Sequence, residues 1–153
     1  MTVTKKQLEI LCQIAQEAGD EIMAVYKGSE SASRSWLKDD ASPLTEADLR
    51  ADRVIRAGLD RHFPGVFILS EESVSAGAKT ATQFFLVDPL DGTKEFLKRN
   101  DEFTVNIALI IDGQPVAGVV LAPALGELFY AAQGEGAWKK DADGVHAISP
   151  RSH

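Results

Sequence analysis

Asp88-Pro89-Leu90-Asp91-Gly92-Thr93-Lys94-Glu95-Phe96 gathers two carboxylates, a tight turn, a hydroxyl and a cation directly after the apolar run Phe84-Phe85-Leu86-Val87. Four apolar residues in succession read as a strand buried on both faces. The acids then leave the core at its C-terminal end, where sheet-based sites gather. Carboxylate oxygens are the ligands that hard divalent cations prefer, while Gly92, Thr93 and Lys94 offer donors to an anion. A metal ion joined to a phosphate is the chemistry this set suits. Taken alone, a plain turn is the favoured reading of the same residues, because Pro at the second turn position followed by Asp-Gly is common turn chemistry.

Acids elsewhere bear on that choice. Ser42-Pro43-Leu44-Thr45-Glu46-Ala47-Asp48 opens a helix with Thr45 as N-cap, and Asp48 by itself needs no role beyond complementing the helix dipole. Val66 to Leu69 reads as a short strand, followed by Ser70-Glu71-Glu72-Ser73. Adjacent glutamates are usually a solvated pair. At the end of a buried strand, however, one lies near the core edge and needs a partner, and Glu71 is better placed than Glu72. If Asp48, Glu71, Asp88 and Asp91 converge, four negative charges cannot stay ionised together without cations. The absence of His and Cys from these motifs favours Mg²⁺ or Mn²⁺ over Zn²⁺, and two such ions suit in-line attack on phosphorus.

The positioning elements can be read in order. Leu8, Leu11, Ile14, Ala15, Ala18, Ile22 and Val25 form one face of a helix from Thr4 to Tyr26, with a Thr4/Gln7 capping box and Gly28 as its stop. Gly28 to Ala41 is a Ser-rich loop holding Trp36. In the second helix Ala51, Val54, Ile55 and Leu59 form the inner face, and Pro64-Gly65 ends it. Val74 to Gln83 reads as a loop and Thr93 to Lys98 as a short helix. Phe103–Ile111, Val116–Leu121, Leu128–Ala132, Ala137-Trp138 and Val145–Ile148 then read as strands joined by Asp/Gly turns, which makes them antiparallel. Gly134-Glu135-Gly136 lies between strands and lacks a third glycine and a following helix, so it is no dinucleotide fingerprint. The expected class is α+β, with two helices packed on a mainly antiparallel sheet.

With 153 residues, 44% hydrophobic and 25% charged, the chain has the make-up of one globular domain. A net charge of −7 without a basic cluster argues against nucleic-acid binding. Cys12 is the single cysteine, expected as a buried small apolar group in a reducing compartment. The amphipathic N-terminus suggests neither a secretory signal nor a transmembrane segment, and a cytoplasmic location is expected.

Taken together, Pro43–Asp48, Leu69–Glu72 and Asp88–Thr93 resemble the lithium-sensitive, Mg²⁺-dependent phosphatases of the inositol monophosphatase superfamily. Lys94-Glu95-Phe96 and Phe103-Thr104-Val105-Asn106-Ile107-Ala108-Leu109 are most similar to its CysQ branch, the 3′(2′),5′-bisphosphate nucleotidases of sulfate assimilation. The resemblance implies a layered inositol-monophosphatase-like fold with Glu71, Asp88 and the Leu90 carbonyl on a first Mg²⁺. Asp88 and Asp91 would hold a second, a complete site having two or three ions, with Mn²⁺ a possible substitute. It further implies an attacking water held by Glu71 and Thr93, a Thr93 hydroxyl oriented by Asp48, and phosphate oxygens held by the Gly92 and Thr93 amides. Lys94 is an additional phosphate contact or an exposed helix lysine. The implied substrate is a small phosphorylated nucleotide, 3′-phosphoadenosine 5′-phosphate, with an inositol or sugar phosphate as the alternative.

The chain departs from the family in two places. It lacks the Trp-Asp motif that completes the second metal site, because Trp36 and Trp138 precede Leu37 and Lys139. Arg151-Ser152-His153 resembles the junction at which family members pass into their second half. Residues 1–153 therefore read as the N-terminal, metal-binding lobe with the C-terminal lobe absent. Such a lobe could bind metal without activity, or form a homo-oligomer through the face so left. The second departure is Asp101, where the branch commonly has Gly after Asn100, a position at which a left-handed backbone would be tolerated less well.

Overall fold

The computed structural model describes residues 3–31, 42–70 and 82–148. Helix α1 spans Lys5–Ser31 and opens on the expected capping box, with the Thr4 amide donating to Gln7 Oε1 (2.9 Å) and the Gln7 amide to Thr4 Oγ1 (3.1 Å). All seven apolar residues of its predicted face are buried. Gly28 does not stop the helix. Its φ is not in the left-handed region that a glycine terminator needs, and Tyr26, 5% exposed, pins the preceding turn, so a glycine cost of about 1 kcal/mol is absorbed.

Helix α2 spans Pro43–His62. Its N-cap is Ser42 rather than Thr45, for Ser42 Oγ accepts from the Thr45 amide (3.1 Å) and Pro43 occupies the first helical position, where a missing N–H costs nothing. Ala47, Ala51, Ile55 and Leu59 are its buried face, and Val54 is only half-buried. At Gly58 an added Cβ would lie 2.8 Å from Ile14 Cγ1, so the α2 backbone packs there directly on an α1 side chain. Arg50 Nη2 donates to Glu21 Oε2 (2.7 Å) across the same interface.

The sheet has the order β1-β2-β3-β4-β5-β6-β7, formed by Phe67–Ser70, Gln83–Asp91, Thr104–Ile111, Gln114–Ala122, Glu127–Ala132, Gly136–Asp141 and Gly144–Ile148. Among the described strands only β1 and β2 pair in parallel. The β3–β4 hairpin turns on Asp112-Gly113, both at positive φ (50° and 78°), as a two-residue turn of the primed type requires. Helix α3 runs Thr93–Lys98, as predicted. The result is an α+β layer in which α1 and α2 cover one face of a mainly antiparallel sheet.

The core lies between that face and the helices, where Phe85, Val87, Val105, Ile107, Leu109, Val119, Leu121 and Leu128 alternate inward. The expectation that β2 is buried on both faces does not hold, since Leu86 is 45% exposed between buried Phe85 and Val87. Its row on the opposite face continues through Ala108, Gly118, Ala131 and Ala137 to Ile148, an apolar trough of about 740 Å³. Among the described residues no helix is long and apolar enough to cross a membrane.

Cys12 is half-buried against the core rather than fully enclosed. Burial pushes its thiol from 9.0 up to about 12, which removes thiolate at neutral pH. Below pH 9 the native thiolate population should be roughly 10³-fold smaller than that of the unfolded chain, from a difference of three pH units. Reaction with a disulfide reagent at pH 8 is expected to be slow in buffer and fast in denaturant. Equal rates would mean that Cys12 is not shielded.

Candidate active site

The site is built at the C-terminal end of β2. Pro89 has no N–H to give a neighbouring strand, and the pairing with β3 slips there: Asp88 faces Asn106, but Asp91 faces Thr104, so three steps on β2 match two on β3. The slip has a chemical result. In an unbroken strand, residues three apart point to opposite faces. The extra residue returns Asp91 to the face of Asp88, where Asn106 Nδ2 donates to Asp91 Oδ2 (3.0 Å) and Thr104 Oγ1 donates to Asn106 Oδ1 (3.0 Å). Asp88 is half-buried, Asp91 is exposed, and Leu90 between them is 4% exposed.

Gly92 follows with φ 90° and ψ 53°, at the N-cap of α3. A Cβ there would lie 3.2 Å from the backbone Cα of Phe103 and 3.2 Å from Glu95 Oε2. Thr93 and Lys94, in the first turn of α3, are exposed. Behind them Tyr26, Phe96 and Phe103 pack ring on ring, with centroids 4.8 to 5.3 Å apart. The Arg99 guanidinium lies 4.2 Å over the Tyr26 ring and donates to the Tyr26 carbonyl (2.8 Å). The end of α1 thus anchors the α3 turn.

Asp101 has φ 70°, the left-handed conformation that makes a non-glycine residue costly at this position. Tyr26 holds it, its hydroxyl donating to Asp101 Oδ1 (2.7 Å). Burial, followed by this bond, raises the Tyr26 pKa above its ordinary 10.0. Asp101→Gly would relieve about 1 kcal/mol of backbone strain. It would also remove a hydrogen bond to a charged acceptor, about 1.5–3 kcal/mol. The bond is the larger effect, so Asp101→Gly is expected to destabilise by about 1 kcal/mol alone. In a Tyr26→Phe background it should be neutral or stabilising. Urea denaturation of the four proteins decides, and strictly additive losses would show that the Tyr26–Asp101 bond carries no stability.

β1 ends at Ser70, level with Val87, so its C-terminus lies beside Asp88 at the same end of the sheet. Ser70 is buried, and Arg56 Nη2 from α2 donates to its Oγ (3.2 Å) while Arg56 Nε donates to Asp52 Oδ2 (2.9 Å). Glu71, expected as a metal ligand and base, lies outside the described residues, as do Trp36, Glu72 and the Arg151–His153 segment. Asp48 is half-buried in the second turn of α2. Among the described residues no three His, Cys, Asp or Glu side chains gather around one point. The structure thus sets Asp88 and Asp91 on one face of β2, with Leu90 between them in the chain and Gly92, Thr93 and Lys94 following directly. Asn106, Thr104 and Arg56 were not among the predicted site residues. A proline inside a strand run was the available signal, since it marks a bulge and therefore a residue opposite it.

A layered α+β protein with paired acids at a bulged strand end, running directly into a glycine-capped helix, is the class these features define. Residues 4–151 match the inositol monophosphatase family, and the chain belongs to it. It is 52% identical over 136 residues to the 3′(2′),5′-bisphosphate nucleotidase CysQ of Salmonella typhimurium, covering 88% of this chain and 54% of that protein. The crystal structure of CysQ from Bacteroides thetaiotaomicron superposes with a TM-score of 0.79 at 37% identity, over 97% of this chain and 53% of that one. The extragenic suppressor protein SuhB from Bartonella henselae gives 0.73 at 33%, over 90% and 52%. The chain spans about half the length of the curated relatives it matches.

Proposed function

We propose that this chain is the metal-binding lobe of a cytoplasmic, divalent-cation-dependent phosphatase that removes the 3′-phosphate of 3′-phosphoadenosine 5′-phosphate. The observation that carries the reading is the β2 bulge, which sets two carboxylates on one face in a chain 52% identical to a CysQ nucleotidase. The donor set fits Mg²⁺ or Mn²⁺, because Asp88, Asp91 and the Leu90 carbonyl offer only hard oxygens. Asp88, Leu90 and Glu71 would hold one ion, and Asp88 with Asp91 another. Bound there, the cations lower the pKa of water and neutralise charge on the transferring phosphoryl group.

The remaining work falls to the chain's own groups. Glu71 and the Thr93 hydroxyl orient the attacking water, the Glu71 carboxylate accepts its proton, and Asp48 fixes the direction of that hydroxyl. The Gly92 and Thr93 amides and Lys94 hold phosphate oxygens as charge develops on them. The aromatic packing behind α3 keeps these donors in place, since Phe96 and Phe103 are 3% and 0% exposed.

A second reading, the same chemistry on an inositol phosphate, is favoured by the likeness to SuhB and to an inositol monophosphatase of Anabaena at 34% identity. The test is phosphate release with Mg²⁺ from 3′-phosphoadenosine 5′-phosphate and inositol 1-phosphate in parallel, with a chelator as control. Preferential release from the nucleotide supports the first reading, and preferential release from inositol 1-phosphate supports the second. Mn²⁺ binding without release from either would assign this chain metal binding alone, with the open apolar face of the sheet as its surface for association.

A further inference from the structure

We propose that Asn106 is a positioning residue for Asp91, and that Thr104 sets the direction in which Asn106 faces. The inference rests on reading Asp91 as a cation ligand, and it assigns roles to two β3 residues outside that ligand set.

Proton bookkeeping leaves one arrangement. An ionised carboxylate can only accept, so the atom 3.0 Å from Asp91 Oδ2 must be the Asn106 NH₂. The amide oxygen then faces Thr104 Oγ1 at 3.0 Å and must be given that hydroxyl's only proton. Turning the amide over would set two acceptors 3.0 Å apart at Asp91. Each group in the series Thr104, Asn106, Asp91 thus fixes the next.

The placement is equally specific. Asn106 is the cross-strand partner of Asp88 yet bonds to Asp91, so it stands between the two acids on their shared face. It is half-buried, whereas Asp91 is exposed where regular pairing has slipped. An exposed aspartate otherwise moves among rotamers, and ordering it falls to a neighbour. The amide engages Oδ2 and leaves Oδ1, so Asp91 is presented to a cation as a one-oxygen ligand. Because the amide is neutral, it does this without repelling the cation, as a lysine would, and without adding negative charge, as a third aspartate would. Partners behind a metal ligand act in this way, and their loss typically weakens metal binding about 10- to 100-fold.

The test is Mn²⁺ binding to the purified chain, read from the electron paramagnetic resonance of free Mn²⁺, beside the thermal midpoint of each variant. Asn106→Leu should bind Mn²⁺ about 10- to 100-fold more weakly. Thr104→Val should weaken binding by less, and Thr104→Ser, which keeps the hydroxyl, should restore it. A purely structural role predicts the opposite order, because Val is a better strand former than Ser. Without metal, Asp91→Asn should shift the side-chain amide resonances of Asn106. Unchanged Mn²⁺ affinity in both Asn106→Leu and Thr104→Val overturns the inference while the metal reading stands. No Mn²⁺ binding by the unmodified chain overturns the metal reading, and the inference with it.

Discussion

Gly92→Ala is expected to destabilise the protein by about 2–5 kcal/mol, the sum of two separable effects. At φ 90° an L-residue is forced into left-handed backbone, for about 1–2 kcal/mol. The new methyl would also stand 3.2 Å from the Phe103 Cα, a backbone atom inside a buried ring cluster that cannot turn aside, for about 1–3 kcal/mol more. Glu95 Oε2, at the same distance, can swing away and adds little. Gly113→Ala is the control: it has φ 78° but open space, so only the backbone effect, about 1–2 kcal/mol, should appear. Urea denaturation of both variants checks this. Equal losses would mean that the Gly92–Phe103 approach carries no constraint.

Asp91→Asn should abolish phosphate release with the fold left intact. The substitution keeps size and shape, removes the charge and leaves one amide oxygen to accept from Asn106. At an exposed position, stability should stay within about 0.5 kcal/mol. The cation that Asp88 and Asp91 would share loses a full charge of attraction, so its Mn²⁺ affinity should fall roughly 100-fold or more, at least the upper range for an outer partner. Phosphate release from 3′-phosphoadenosine 5′-phosphate and Mn²⁺ affinity are measured on the same preparation. Undiminished Mn²⁺ binding would remove Asp91 from the ligand set.

How much of this was legible follows from which forces are local. Helix α3 was read to the residue because Gly92 and Lys98 bracket a short apolar pattern, and the meander because Asp112-Gly113 and its counterparts name their own turns. The end of α1 was misread because a glycine terminates a helix only when its backbone turns left-handed, which depends on what packs beyond it. Thr45 lost the N-cap to Ser42 because both can cap and Pro43 settles where the first turn begins. The run Phe84–Val87 is apolar on both sides, and sequence alone cannot tell a covered face from an open one. The acids of the site were legible as residue types. That Asp88 and Asp91 share a face was not, because it depends on one residue of slip between β2 and β3.

In this sheet, spatial order equals chain order, from β1 to β7. Strands β3 to β7 are joined by connections of only two, four, three and two residues, so each pairing closes a small loop and the next can form on it. The parallel β1–β2 contact differs. It joins Ser70 to Val87 across a twelve-residue connection, a length matched only by the one from β2 to β3. The C-terminal ends of those two strands carry the candidate site. Pairing by local hairpins therefore builds the platform from β3 onward, and the candidate site sits on β2, between the two pairings whose closure carries the greatest entropy cost.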